Sequence, residues 1–88
     1  MNVLFKESFK KDIRSISGNN ILQEIERVII NVEQASTPQQ IRNLKKLSTK
    51  GKYYRIRIGQ YRIGITIVHN TVTFVRCLQR KEVYRYFP

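Results

Sequence analysis

Arg57, Arg62 and Arg80 are the side chains in this sequence best suited to chemistry, and the chemistry they suit is done on a phosphate. Arg57 and Arg62 flank Gly59-Gln60 within KYYRIRIGQYRIGITIV, a run that alternates apolar and polar residues at the period of half-buried strands. A two-residue turn at Gly59-Gln60 sets Arg57 directly opposite Arg62, with their Cβ atoms about 4.5–5.5 Å apart. Like charges so placed destabilise a sheet. A chain that keeps such a pair with no acid nearby expects an anion there. Phosphate is the natural one, because guanidinium groups grip it through two parallel hydrogen bonds. Weighed against a plain solvated strand face, the pairing favours the anion site.

Other chemistries lack their parts. There is no phosphate-binding glycine loop, no dinucleotide turn and no His/Cys metal spacing. The single histidine, His69, sits some 23 Å along the strand from Arg62 at about 3.3 Å per residue, which excludes a two-histidine ribonuclease site. It reads as an exposed turn residue. Cys77 reads as a small strand residue on the arginine face, without a partner for thiol chemistry. Glu82 reads as a surface ion-pair partner for a neighbouring cation. Chemistry here must run on arginine, lysine, tyrosine or Glu82.

The elements that position these residues follow from the pattern. Turns at Gly59-Gln60 and His69-Asn70 give a three-stranded antiparallel meander over residues 52–79. In that register Ile56 faces Ile63, Arg55 faces Gly64, Arg62 faces Cys77, Ile65 faces Phe74 and Ile67 faces Val72. One face is then core: Tyr54, Ile56, Ile58, Tyr61, Ile63, Ile65, Ile67, Val72, Phe74 and Leu78, with Arg76 the single intruder. The other carries Arg55, Arg57 and Arg62 around the small Gly64 and Thr66. The first turn and the end of the last strand lie at the same end of the meander. Arg57, Arg62, Gln79, Arg80, Lys81 and Tyr84 therefore converge.

Upstream, residues 2–6 read as a first strand and Glu7–Ile16 as a helix with Phe9, Ile13 and Ile16 on one side. Gly18 suits a left-handed C-terminal cap. Asn20 suits the N-cap of a second helix over roughly 21–35, with Gln23 completing a capping box. The two helices form an antiparallel hairpin whose apolar side covers the isoleucine face. Residues 39–52 form a basic loop with a short turn or strand, in which Ile41, Leu44 and Leu47 tuck inward while Lys45, Lys46, Lys50 and Lys52 stay solvated. The aromatic rings of Tyr53, Tyr54, Tyr61, Tyr86 and Phe87 suit core or rim packing, and Tyr84 by itself reads as a ring packed at the C-terminal end.

At 88 residues the chain is one small domain, residues 1–88, with a formal net charge of +11. Residues 1–33 are charge-balanced. Residues 34–88 hold twelve basic residues against Glu82 alone, so the whole excess sits on and around the meander. That is the electrostatic footprint expected of a nucleic-acid partner. No basic amphipathic helix points to a membrane surface, and no window approaches the roughly 18 apolar residues of a bilayer span. One cysteine and no apolar leader fit a cytoplasmic protein.

YYRIRIGQYRIGITIV followed by TVTFVRCLQRKEVYRYFP resembles the RelE/ParE toxin superfamily of bacterial toxin–antitoxin systems. The resemblance covers the whole chain and implies an α+β fold: a two-helix antiparallel hairpin on one face of a four-stranded, mostly antiparallel sheet in βααβββ order. It implies one of two activities. RelE-like members cut mRNA in the ribosomal A site without metal, by attack of the ribose 2′-OH on the neighbouring phosphate. ParE-like members poison DNA gyrase.

The RelE-like reading is the expectation here: an mRNA endoribonuclease, with no cofactor, neutralised by a cognate antitoxin that is acidic and partly disordered when free. Its partners would be mRNA and ribosomal RNA. Carried over by position, Arg62, Arg80, Tyr84 and Arg57 are the catalytic set. Arg55, Lys52, Gln79, Lys81, Lys45 and Lys46 are the RNA-binding set. Arg55, Arg57 and Arg62 would hold phosphate and offset transition-state charge. Arg80 would stabilise charge or donate to the leaving oxygen. Tyr84 would stack on or orient the base, or act in proton transfer. Lys52 or Lys81 would serve as base where crowded positive charge sheds its proton. Many relatives carry histidine where this chain has Gln79, which holds substrate by hydrogen bonds but exchanges no proton. The alternatives are a gyrase inhibitor and a basic RNA-binding domain with weak or no turnover because of Gln79.

Overall fold

Strand alternation and helical periodicity sort the sequence into a sheet and the helices that cover it. The computed structural model describes residues 1–47 and 51–88; Lys50 lies outside them. The elements run β1 (Asn2–Phe5), α1 (Glu7–Arg14), α2 (Asn19–Gln34), β2 (Leu44–Lys46), β3 (Tyr53–Ile58), β4 (Tyr61–Val68), β5 (Thr71–Gln79) and α3 (Arg80–Tyr86), with one 3-10 turn at Pro38–Gln40. The sheet order is β1-β5-β4-β3-β2, with β1 parallel to β5 and every other pair antiparallel. The fold class is the expected α+β one, with five strands rather than four. The added strand is β2, from the basic loop, where Leu44 pairs with Ile56.

Helices α1 and α2 cover the isoleucine face. Phe9, Ile25 and Val32 meet Ile56, Ile63, Ile65, Val72 and Phe74 in the core. Phe5, Phe9 and Phe74 add an aromatic cluster with centroids 5.2–5.8 Å apart. Burying each large apolar side chain contributes about 1.5–3 kcal/mol, so this layer holds the fold. Two helix ends differ from expectation. Gly18 has φ −80° and ψ 122°; it is the extended N-cap of α2 rather than a left-handed C-cap, and Asn20 lies inside the first turn. Helix α1 stops before Ile16, because Ser15 turns both its N–H and its hydroxyl back to the Asp12 carbonyl.

The β3–β4 register is as expected, with Arg57 opposite Arg62 and Arg55 opposite Gly64, across a turn where Gly59 has φ +59°. The β4–β5 register is not. Ile65 faces Phe74 but Gly64 faces Arg76, so Val75 is an extra residue and the strand bulges there. Every side chain beyond it changes face. Arg62 faces Leu78 rather than Cys77; Cys77 turns into the core opposite Ile63; Arg76 leaves the core; and Gln79 pairs with Tyr61. The cause lies in α1. Past the end of β1, Ser8 donates to the Val75 carbonyl at 2.6 Å, and the Cys77 N–H donates to Asp12 Oδ2 at 2.9 Å. Those side-chain bonds replace the missing strand neighbour.

The C-terminal segment forms α3, which lies on the face opposite α1 and α2. Val83 and Phe87 are its buried side, while Tyr84 and Tyr86 are exposed. Phe87 sits over Gly64 and edge-on to Tyr53, with centroids 5.7 Å apart. No described helix is long and apolar enough to cross a membrane.

Candidate phosphate-binding site

Arg62 is the centre of the arginine face. It is only 8% exposed, the one buried charged residue among those described. Its Nη1 donates to the carbonyls of Gly59 at 2.9 Å and Tyr61 at 3.0 Å. The like-charge pair is therefore tolerated by turning Arg62 back onto its own turn while Arg57 stays exposed. Burial first, then Arg55 and Arg80, hold the Arg62 guanidinium below its ordinary range; Tyr84 opposes them and Arg57 adds to them. Three guanidiniums and a tyrosine thus act on Arg62. Arg55 Nη1 donates to the Asn43 carbonyl at 2.9 Å, and its buried Nε has no partner among the described residues.

None of these cations is neutralised. Among the described residues the ion pairs are Lys10–Glu7 and Arg76–Asp12, neither of them in the cluster. Glu24 lines the same shallow cleft as Arg57, Arg62 and Arg80, of about 500 Å³, yet pairs with none of them. Uncompensated positive charge held partly out of water is the electrostatic complement of an anion.

A second cleft, of about 660 Å³, adjoins it and is lined by Gln60, Gln79, Arg80, Lys81 and Tyr84. The Arg80 N–H donates to the Gln60 carbonyl at 2.7 Å, which locks the start of α3 onto the β3–β4 turn. Arg80 lines both clefts. Tyr84 stands 61% exposed, an open ring beside the cations rather than a packed one.

Of the residues singled out from sequence, Arg55, Arg57, Arg62, Arg80, Lys81, Gln79 and Tyr84 come together at this end of the sheet. Lys45 pairs with Arg55 on the same face. Lys46 pairs with Tyr54 on the other face, its Nζ 5.9 Å from that ring. Lys52 stands at the far end of β3, 6.0 Å from the Tyr53 ring and about 17 Å along the strand from Arg57. Glu82 is exposed and makes no ion pair among the described residues; it borders another hollow, near Asp12. Gln60 was missed because it reads as a turn residue. Asp12 and Arg76 were missed because only the bulge brings them together. No group of three or more metal-ligating side chains occurs among the described residues.

Comparison with known proteins bears on the family and the fold. The family described as ParE toxin of type II toxin–antitoxin system, parDE, matches residues 3–84. The chain belongs to this toxin family, within the RelE/ParE superfamily. Toxin RelE3 of Methanocaldococcus jannaschii is 38% identical over 89 residues, covering 100% of both chains. The toxin fold is likewise that of the RelB-RelE antitoxin-toxin complex from Methanococcus jannaschii, at TM-score 0.80 and 36% identity, covering 97% of this chain and 99% of that one. The archaeal RelE-RelB complex from Pyrococcus horikoshii shares the fold alone, at TM-score 0.74 and 18% identity over 90% of this chain and 93% of that one.

Proposed function

We propose that this RelE/ParE-superfamily toxin is an endoribonuclease that cuts mRNA in the ribosomal A site. The observation that carries the reading is buried Arg62, ringed by Arg55, Arg57 and Arg80, with no carboxylate among the described residues paired to any of them and with the open Tyr84 ring alongside. In the proposed reaction the ribose 2′-OH gives its proton to water as its oxygen attacks the adjacent phosphorus, while the 5′-oxygen leaves and takes up a proton. The products are a 2′,3′-cyclic phosphate and a 5′-hydroxyl. Arg62, Arg57 and Arg55 hold the non-bridging oxygens and offset the charge of the phosphorane. Arg80, at the junction of the two clefts, donates to the departing 5′-oxygen. Tyr84 stacks on the base and fixes its ribose in line. Gln60 and Gln79 offer amides to the same nucleotide.

The cognate partner in this reading is an antitoxin, as in the RelB-RelE complex of the Methanococcus jannaschii relative. An acidic segment is its expected chemistry, laid over the basic face or in place of α3. The match to a ParE family model favours a second reading, inhibition of DNA gyrase without nuclease activity. One experiment separates the two. The chain is induced in bacteria and the 5′ ends of transcripts are mapped. In-frame cuts in translated mRNA support the ribonuclease, whereas a DNA-damage response with intact transcripts supports gyrase poisoning.

A further inference from the structure

Helix α3 carries Arg80 and Tyr84, and its seven residues make it too short to hold its own orientation in water. At about 100° per residue, Val83 and Phe87 form one line of contact with the sheet, and Arg80 and Tyr84 lie to one side of that line. Tyr86 lies to the other side. The Arg80 N–H bond to the Gln60 carbonyl pins only the first residue; beyond it the helix is held along a single line and can roll, which would carry Tyr84 and the Arg80 side chain away from Arg62.

The Tyr86 side is held by a chain of contacts that begins in α1. Asp12 is nearly buried, at 13% side-chain exposure. Its Oδ2 accepts from Arg76 Nε at 2.8 Å and from the Cys77 N–H at 2.9 Å, and its Oδ1 accepts from Arg76 Nη2 at 3.1 Å. The Arg76 guanidinium is thereby fixed in two directions, with its carbon 5.6 Å from the centroid of the Tyr86 ring. Arg76 sits opposite Gly64, over which Phe87 is packed. The bulge at Val75 is what turns Arg76 to this face.

We infer that Asp12, Arg76 and Tyr86 are positioning residues: together they stop α3 from rolling and so fix Arg80 and Tyr84 against Arg62. The inference rests on the ribonuclease reading for its effect on turnover, but not for its effect on α3. None of the three lines the two clefts around the arginine cluster. Their loss therefore lowers kcat rather than substrate affinity.

The test is a double-mutant cycle on the full chain with Arg76→Ala, Tyr86→Ala and the pair, plus the conservative Tyr86→Phe. Cleavage kinetics are read beside amide hydrogen exchange of residues 83–87. Each alanine variant is expected to lose about 10- to 100-fold in kcat with KM little changed, and to exchange faster in α3 alone. The double variant should lose no more than the worse single one. Tyr86→Phe, which keeps the ring, should restore both. Asp12→Asn should resemble Arg76→Ala. Additive losses, or parental exchange in α3 for Arg76→Ala, would overturn the inference while leaving the ribonuclease reading intact. A parent chain that cuts no RNA would overturn that reading, and hydrogen exchange would still decide whether these residues hold α3.

Discussion

The ring of Phe87 lies so close to Gly64 that a Cβ built on the glycine would stand 2.6 Å from two of the ring carbons. The C-terminal helix can therefore seat only on a residue with no side chain, in a strand where β-branched Ile63 and Ile65 stand on either side of it. Gly64→Ala is expected to cost about 1–3 kcal/mol by overpacking, and to release α3 together with Arg80 and Tyr84. Denaturation midpoints and cleavage rates of Gly64→Ala, alone and with Phe87→Leu, check this. The smaller second side chain should recover part of both losses.

Arg62→Ala removes a cation that is held away from water and crowded by three others. Turnover should fall by about 10²–10³, the usual effect of losing one donor to transition-state charge. Stability should stay within about 1 kcal/mol of the parent, since relieved repulsion offsets lost packing. Single-turnover rates and urea midpoints measure the two separately. Arg62→Lys keeps charge without the fork, and should recover little activity.

Binding an anion to the uncompensated cluster should stabilise the protein by mass action, about 2.7 kcal/mol at one hundred times the dissociation constant. Thermal melts with a short non-cleavable RNA, and with inorganic phosphate, should shift upward. In Arg57→Ala/Arg62→Ala the shift should shrink. A melting point indifferent to both ligands would remove the anion site from the account.

Burial, with Asp12 adding to it, pushes the Cys77 thiol up to about 12. Its folded value lies above the unfolded one, so the native state holds the proton longer. Stability is fully present below about pH 9 and declines as pH rises from there toward 12. The native thiol should resist alkylation at pH 8 and react only on unfolding. Thiol labelling with and without urea reads this directly.

Tyr84→Ala should cut turnover with little effect on stability, because the side chain is mostly exposed. Gln79→His places an imidazole in the cleft beside Arg80 and Tyr84. If a missing proton acceptor limits the rate, that variant should be faster, with an inflection near the ordinary imidazole value of about 6.5. A flat pH profile would show that the acceptor lies elsewhere.

What the sequence revealed was local. The β3–β4 hairpin was legible because alternation and one glycine turn set its register, and with it the pairing of Arg57 with Arg62. The convergence of Arg80 with that pair followed from the turn geometry. The register of β5 was not legible. It depends on Ser8 and Asp12, each more than 60 positions away, which satisfy the bulged edge and move Cys77, Leu78 and Gln79 to the opposite faces. The seating of α3 was hidden for a related reason. Gly64 reads as a small residue on a polar face until Phe87 is found against it.

In the proposed function the arginine cluster grips an RNA linkage while the adjoining ribose 2′-oxygen attacks its phosphorus. The most direct measurement uses ribosomes programmed with an mRNA, and a second mRNA carrying a 2′-deoxynucleotide at the cut position. Expected are a 5′-hydroxyl fragment and a 2′,3′-cyclic phosphate from the first, nothing from the second, and at least about 100-fold slower cutting by Arg62→Ala. Intact mRNA, equal cutting of the deoxy substrate, or parental rates from Arg62→Ala would contradict it.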